Sequence, residues 1–272
     1  MTPHLFIFGM GYTATRLAEH LSTLGWHVSG TGGNSPLAFE DEAAVHAALV
    51  NATHILSSVP PAKDGRDPVL ARYGEALRAA PARWIGYLSS TGVYGDVGGA
   101  WVDESATLIG RRGGRNTADL TWQALREDVR VFRLPGIYGP ERSALERVRE
   151  GTAHLVDVPH QVFSRVHVDD IVCGVVASFD RGPAGVYNLA DDLPAPQNDV
   201  IRQACALLGA TPPPLIGLDD PALTLAARAF YAENRRIANG KAKRLLGWQP
   251  LYPDFRAGLK AIYASCGASS HL

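Results

Sequence analysis

The chain begins with LFIFGMGYTATRLAEHLSTLGWHVSGT, an apolar run from Leu5 to Phe8 that leads directly into Gly9, Gly11 and Ala14 and then a helix-periodic segment. That order of elements dictates a strand, a tight turn and a helix. Gly9 allows the bend, Gly11 lets the backbone come close to an anionic group, and small Ala14 lets the helix pack on the strand. Ala14, Leu17, Ala18, Leu21 and Leu24 share one helical face, Gly25 is a stop signal, and Trp26 to Thr31 reads as a second, parallel strand. The N–H groups of the first helical turn, around Tyr12 and Thr13, are then expected to face a pyrophosphate. A glycine turn in some other α/β protein is the plainer alternative, and the flanking strand and helix argue against it.

The end of the second strand bears on which dinucleotide fits. An acid about 20 residues after the first glycine marks NAD, and an arginine nearby accommodates the extra phosphate of NADP. Here the chain reads Thr31, Gly32, Gly33, Asn34, with neither signal. Glu40, Asp41 and Glu42 come too late and read as the opening of the next helix. NAD(P) is therefore the expected cofactor, with a lean to NADP because no carboxylate repels its phosphate.

At 272 residues, one α/β core with an appended lobe fits best. A net charge of −1 gives no field to recruit nucleic acid or an anionic membrane, so a small molecule is the expected partner. Cys173, Cys205 and Cys266 are far apart and suggest neither a disulfide framework nor a metal site. The first strand starts near His4 and no long apolar run follows, so a cytoplasmic location is expected.

Further along, His54 to Val59 reads as a strand ending in Pro60 and Pro61, and Ser57, Val59 and Pro60 are expected to line the cofactor crevice. Helices are predicted over 68–79, 119–126 and 143–150, and strands over 83–89, 130–134 and 186–189. Asp169 or Asp170 is expected to cap a helix carrying Ile171, Val172, Val175, Val176 and Phe179. After Pro194 the pattern changes to helices separated by proline-rich loops. The segments predict a doubly wound parallel Rossmann sheet with a smaller, mainly helical C-terminal substrate lobe. Residues 1–190 form the dinucleotide-binding domain, with 140–166 contributing to the lobe, and 191–272 form the lobe itself. Only the tail from Cys266 to Leu272 is expected to be loose.

In this order the motifs resemble the extended branch of the short-chain dehydrogenase/reductase superfamily, the NAD(P)-dependent epimerases and dehydratases of nucleotide sugars. GMGYTA is similar to the cofactor turn, residues 87–95 (YLSSTGVYG) to the strand bearing the catalytic hydroxyl, and residues 133–140 (RLPGIYGP) to the loop beside nicotinamide. Residues 165–171 (RVHVDDI), 187–190 (YNLA) and 246–250 (LGWQP) resemble later landmarks. The resemblance implies cofactor contacts at Ser89, Pro135 and Ile137, a substrate hydroxyl partner at Ser90 or Thr91, and a homodimer.

The superfamily's chemistry uses a tyrosine to move a proton and a lysine four residues on to lower its pKa. In the interval where that pair belongs the chain reads GRRGGRNTAD (110–119). If Ala118 and Asp119 align with the family's Ala-Glu, Arg111 stands at the tyrosine position and Arg115 at the lysine position. A guanidinium has no accessible proton cycle near neutrality but does stabilise an anion. The resemblance thus implies an atypical oxidoreductase or epimerase acting on an anionic, nucleotide-sugar-like molecule, with Ser90, Thr91 and Arg115 as catalytic candidates and Tyr94, Arg111, Tyr138 and His167 as substrate contacts. Alternatives stay open at each. Tyr94 and Tyr138 could be crevice walls, His167 a structural neighbour of a helix cap, and Arg111, Arg112 and Arg115 a solvated loop. The whole could be a non-catalytic NAD(P) sensor that reports redox state.

Overall fold

The computed structural model describes residues 2–268. In chain order the elements are β1 (His4–Phe8), α1 (Tyr12–Thr23), β2 (His27–Thr31), α2 (Glu42–Asn51), β3 (His54–Ser57), α3 (Pro68–Ala79), β4 (Trp84–Ser90), β5 (Trp101–Val102), α4 (Gly113–Gln123), β6 (Val129–Leu134), β7 (Gly136–Tyr138) and α5 (Ala144–Arg149). They continue with β8 (Leu155–Val156), β9 (Arg165–His167), α6 (Val168–Ala177), β10 (Gly185–Asn188), α7 (Gln197–Leu208), β11 (Leu215–Ile216), α8 (Leu225–Phe230), β12 (Arg236–Ile237), α9 (Gly240–Leu246) and α10 (Phe255–Ala268).

Six parallel strands form the main sheet in the order β10-β6-β4-β3-β1-β2. The chain steps from β1 outward to β2 and then back across β1 to β3, so the order reverses at β1. In open α/β sheets that reversal opens a crevice at the carboxyl ends of the strands, which is where ligands bind.

Both faces of this sheet are covered, which explains the unbroken apolar run of β1. Phe6 and Phe8 point into one layer with Val45, Leu49, Val69, Tyr73 and Trp122, while Leu5 and Ile7 point into the other with Leu17, Leu21, Ile171 and Val175. These four apolar side chains of β1 are fully buried, each worth roughly 1.5–3 kcal/mol of apolar transfer. Tyr87 of β4 stacks on Trp122 of α4 with ring centroids 5.0 Å apart, and the Trp122 indole donates to Asp67, the N-cap of α3. Arg16 of α1 pairs with Asp169 of α6 at 2.7 Å, tying the two helices of the second layer together.

A further apolar cluster joins α5, α7 and α10 through Leu145, Ile201, Ala204, Phe255 and Leu259. Residues from the 140s thus pack with the C-terminal helices.

Several local expectations need correction. The predicted helix at 119–126 starts six residues earlier, at Gly113, because Gly114 can pass against Gly65, where an added Cβ would lie 2.4 Å from the Gly65 Cα. The α6 cap is His167, whose Nδ1 accepts from the Asp169 N–H at 3.2 Å, rather than an aspartate. The helix α10 extends through Ala268, three residues into the tail expected to be loose; residues 269–272 lie outside the described residues. Among the described residues, no helix is long and apolar enough to cross a membrane.

Candidate active site

The turn after β1 is fixed from three sides. Gly9 and Met10 donate backbone N–H groups to the Thr31 carbonyl at 3.0 and 2.8 Å, and the Ser58 hydroxyl donates to the Gly9 carbonyl at 2.5 Å. Gly9 has φ +85°, and a Cβ there would meet Val59 at 2.9 Å, so the tight turn and the close strand behind it both require glycine. At Gly11 an added Cβ would meet nothing within 4 Å. It is the N-cap of α1, with no side-chain cap and no acid in the first turn. An uncapped N-terminus opening on empty space is what a diphosphate needs.

Ala14 is buried against the sheet, as close helix packing requires, and Thr13 is half-buried. Tyr12 donates its hydroxyl to the Pro140 carbonyl at 2.8 Å and so links the turn to the loop after β7; burial pushes its pKa up to about 12. Val59 and Pro60 lie beside the turn, half-buried and exposed respectively. Thr31 contributes its carbonyl while its side chain is buried. Ser57, expected to line the crevice, is completely buried at the end of β3. Ile137 is half-buried on β7.

At the end of β4 the chain turns through a short 3-10 segment, Thr91–Tyr94, with the Ser90 hydroxyl accepting from the Gly92 N–H at 3.1 Å. Ser90 and Thr91 line a cavity of about 490 Å³ together with Pro135 and Gly136. Five arginines surround it, Arg111, Arg112, Arg115, Arg142 and Arg235, against a single carboxylate, Glu233. Glu233 is engaged by Arg111 at 2.8 Å and Arg235 at 2.6 Å. Burial works to raise its pKa, but the hydrogen bonds from these two guanidinium groups prevail and hold it below the ordinary carboxylate value. Among the described residues, Arg112, Arg115 and Arg142 have no carboxylate partner. The arginine loop is held in place by Asn116, whose amide donates to the Gly110 carbonyl at 3.1 Å, and by the Gly110 N–H, which donates to the Val93 carbonyl at 2.9 Å.

Beneath this cavity lies a buried polar network. Asp119 of α4 accepts from Arg133 of β6, from the Ser89 hydroxyl at 2.6 Å and from Gln123 at 2.7 Å. Arg133 also donates to the Tyr94 hydroxyl at 3.0 Å, which donates in turn to Asn188 at 2.7 Å. One expectation changes here: Tyr94 is fully buried in this network, away from the cavity, while the Ser89 hydroxyl is engaged by Asp119. Burial raises the Tyr94 pKa. Tyr138 is also buried, its hydroxyl directed to the Asp254 carbonyl at 3.5 Å, and burial raises its pKa strongly. His167 is 2% exposed and lines no cavity among those around the site; burial lowers its pKa to about 4.

The residues that sequence reasoning missed are Arg142, Glu233, Arg235, Phe163 and Phe230. The last two stack with centroids 4.1 Å apart at the cavity wall. Arg142 lies two positions after the RLPGIYGP segment, which was a usable signal; Glu233 and Arg235 come from the far end of the chain, where nothing local marks them.

No family model matches the chain. A 3-diazoavenalumate denitrifying reductase from a Streptomyces species is 32% identical over 142 residues, and the match spans 47% of this chain and 45% of that protein. A conserved protein of unknown function from Silicibacter pomeroyi is 41% identical, with a TM-score of 0.86 and coverage of 97% of this chain and 99% of that one. The dTDP-glucose 4,6-dehydratase of Bacillus anthracis, solved in complex with NAD, superposes with a TM-score of 0.79 over 99% of this chain and 98% of its own at 16% identity, a likeness of fold. The chain therefore belongs with the Silicibacter protein, and it shares its fold with the nucleotide-sugar epimerases and dehydratases among the solved structures.

Proposed function

We propose that this chain is an NAD(P)-dependent oxidoreductase that acts on an anionic small molecule and does so without the usual tyrosine–lysine pair. The observation that carries the reading is the cavity at the end of β4, where five arginines face one carboxylate around Ser90 and Thr91. Planar guanidinium groups hold carboxylates and phosphates by paired hydrogen bonds. The Gly9–Ala14 turn fits the dinucleotide, with Gly11 leaving room for its diphosphate, and Pro135 and Ile137 are the candidate walls for its nicotinamide. When bound, the nicotinamide would donate or accept a hydride.

The chain's own groups would then do three things. Ser90 would hold a substrate oxygen through its hydroxyl. Arg115, at the lysine position, would stabilise negative charge that develops on the substrate. Arg111 would act through its pair with Glu233 to fix the cavity wall. Because an arginine cannot supply the proton, a proton needed to complete turnover would come from water. Net reduction is favoured over epimerisation by the partial likeness to a protein named as a reductase. NADP is preferred over NAD in this reading, since no acid follows β2.

A redox sensor is the second reading, and a specific observation favours it: no tyrosine hydroxyl lines the cavity among the described residues. Cofactor absorbance followed with NADPH and NADH against a panel of sugar acids, keto acids and nucleotide sugars separates the two. Turnover that falls at least about tenfold in both Ser90→Ala and Arg115→Ala supports the enzyme. Tight cofactor binding with no turnover of any compound, and no isomerised product, supports the sensor.

A further inference from the structure

Gly92 stands just past the end of β4, in the short segment Thr91–Tyr94, and lines the arginine cavity together with Ser90 and Arg235. A Cβ built on Gly92 marks a small open space in the cavity wall. Besides the short segment itself, only two heavy atoms lie within 4 Å of that point among the described residues, Ser90 Oγ at 3.3 Å and Arg235 Nη2 at 4.0 Å. Both are polar side-chain atoms, brought together from opposite ends of the chain.

Each of them has a hydrogen to give. The Ser90 hydroxyl accepts from the Gly92 N–H at 3.1 Å, and its own proton has no acceptor among the described residues. Arg235 is fixed through its other terminal nitrogen, Nη1, which donates to the Gly95 carbonyl at 2.7 Å and to Glu233 at 2.6 Å, so Nη2 is left without a partner. Only 17% of the Arg235 side chain is exposed. Holding Nη1 at two points sets the plane of the guanidinium and with it the direction of its remaining N–H groups. Glu233 does not compete for Nη2, because its two oxygens are taken by Arg111 and by Arg235 Nη1. The wall at Gly92 therefore presents two directed donors, and an oxygen that only accepts satisfies both.

We propose that Arg235 is a catalytic residue of this cavity: its Nη2 and the Ser90 hydroxyl together hold the oxygen of a substrate carbonyl over Gly92 and stabilise negative charge that develops on it. This rests on the reading of the cavity as the reaction site. The missing side chain at residue 92 makes room for the oxygen, and the pair of donors selects a ketone, aldehyde or enolate oxygen over an alcohol. Donors aimed at a developing oxyanion are worth about 10²–10³ in rate each.

The test uses 4-nitrophenol, whose anion is an oxyanion with its own absorbance, titrated against the full chain with NADP present over a pH range that spans the ionisation of the probe. The expected result is that the phenolate binds at least about tenfold more tightly than the neutral phenol, read as a fall of about one unit in the apparent pKa of the bound probe. Arg235→Gln and Ser90→Ala should each remove most of that preference. Gly92→Ala should weaken phenolate binding at least about tenfold by putting a methyl group where the oxygen sits. It keeps the test valid if Arg235→Gln fails to fold, because the methyl meets only the ends of the Ser90 and Arg235 side chains. A purely structural role for Arg235 would lower the melting temperature of Arg235→Gln and leave the phenolate preference intact. That result, no binding of either form of the probe, or phenolate affinity unchanged in Gly92→Ala overturns the proposal. If the donor pair holds oxyanions but the cavity is not the reaction site, the phenolate preference persists while oxidation of NADPH or NADH is insensitive to Gly92→Ala, so the two failures are distinguishable.

Discussion

Asp119 of α4 and Arg133 of β6 face each other as a fork, with Nη2 to Oδ1 at 2.8 Å and Nε to Oδ2 at 3.1 Å, both side chains almost completely buried. This pair fastens the arginine-bearing start of α4 to the sheet beneath the cavity. Breaking a buried pair strands a charge, and that typically costs about 3–5 kcal/mol. Asp119→Asn and Arg133→Met should each destabilise the protein by that order in urea unfolding. The double variant Asp119→Asn/Arg133→Met should lose less than the sum of the singles, because no lone charge remains. Additive losses would mean that the pair is not coupled.

The two glycines of the opening turn should respond in opposite ways. Gly11 faces open space, so Gly11→Val should leave the melting temperature nearly unchanged and weaken NAD(P) binding at least about tenfold by calorimetry. Gly9 has φ +85° and lies against Val59, so Gly9→Ala should cost about 1–2 kcal/mol of stability before any effect on binding is considered. Unaltered cofactor affinity in Gly11→Val would place the diphosphate elsewhere.

The sheet was legible because its signals are local. The apolar run of β1 and the helical face of Leu17 and Leu21 announce burial wherever the rest of the chain goes. The extent of α4 was not, because its start depends on two glycines, Gly65 and Gly114, meeting from distant segments. The site divided along the same line. Ser90 and the arginines of 111–115 could be found from their neighbours in sequence. Tyr94 could not be placed, since its burial comes from Arg133 and Asn188, on two other strands. Glu233 and Arg235 reach the cavity only through the folding of the last 80 residues over its mouth.

Glu233 tempers the charge of the cavity by occupying two of its five guanidinium groups. Glu233→Gln should release Arg111 and Arg235 and tighten binding of inorganic phosphate several-fold at low ionic strength. The gain should shrink toward physiological salt as the Debye length falls to about 8 Å. Titrations at two salt concentrations check it, and phosphate affinity that is unchanged at low salt would show that the cavity's charge is not felt by its ligand.

Asp191 sets a pH dependence of its own. It is 2% exposed, neither carboxylate oxygen has a hydrogen-bond partner, and burial raises its pKa to about 8 despite the opposing charge of Arg165. Burial likewise draws the Arg165 pKa down to about 10, so each is pushed toward its neutral form. Unfolded, Asp191 titrates near its usual value of about 3.9. Between those two values the folded protein binds a proton that the unfolded chain does not, so this stability is fully present below about pH 4 and is lost as pH rises through about 8. His54 and His167, both held near 4 by burial, act in the opposite sense and only as pH falls below about 6.5. The clean window is therefore pH 6.5 to 8.5, where Asp191→Asn should flatten the fall in urea midpoint seen in the parent and become the more stable form at the alkaline end. The contribution of Asp170, with a pKa raised to about 7 by burial, is common to both proteins and cancels in the difference. Parallel midpoint curves for parent and variant across that window would mean that Asp191 is ionised in the folded protein throughout.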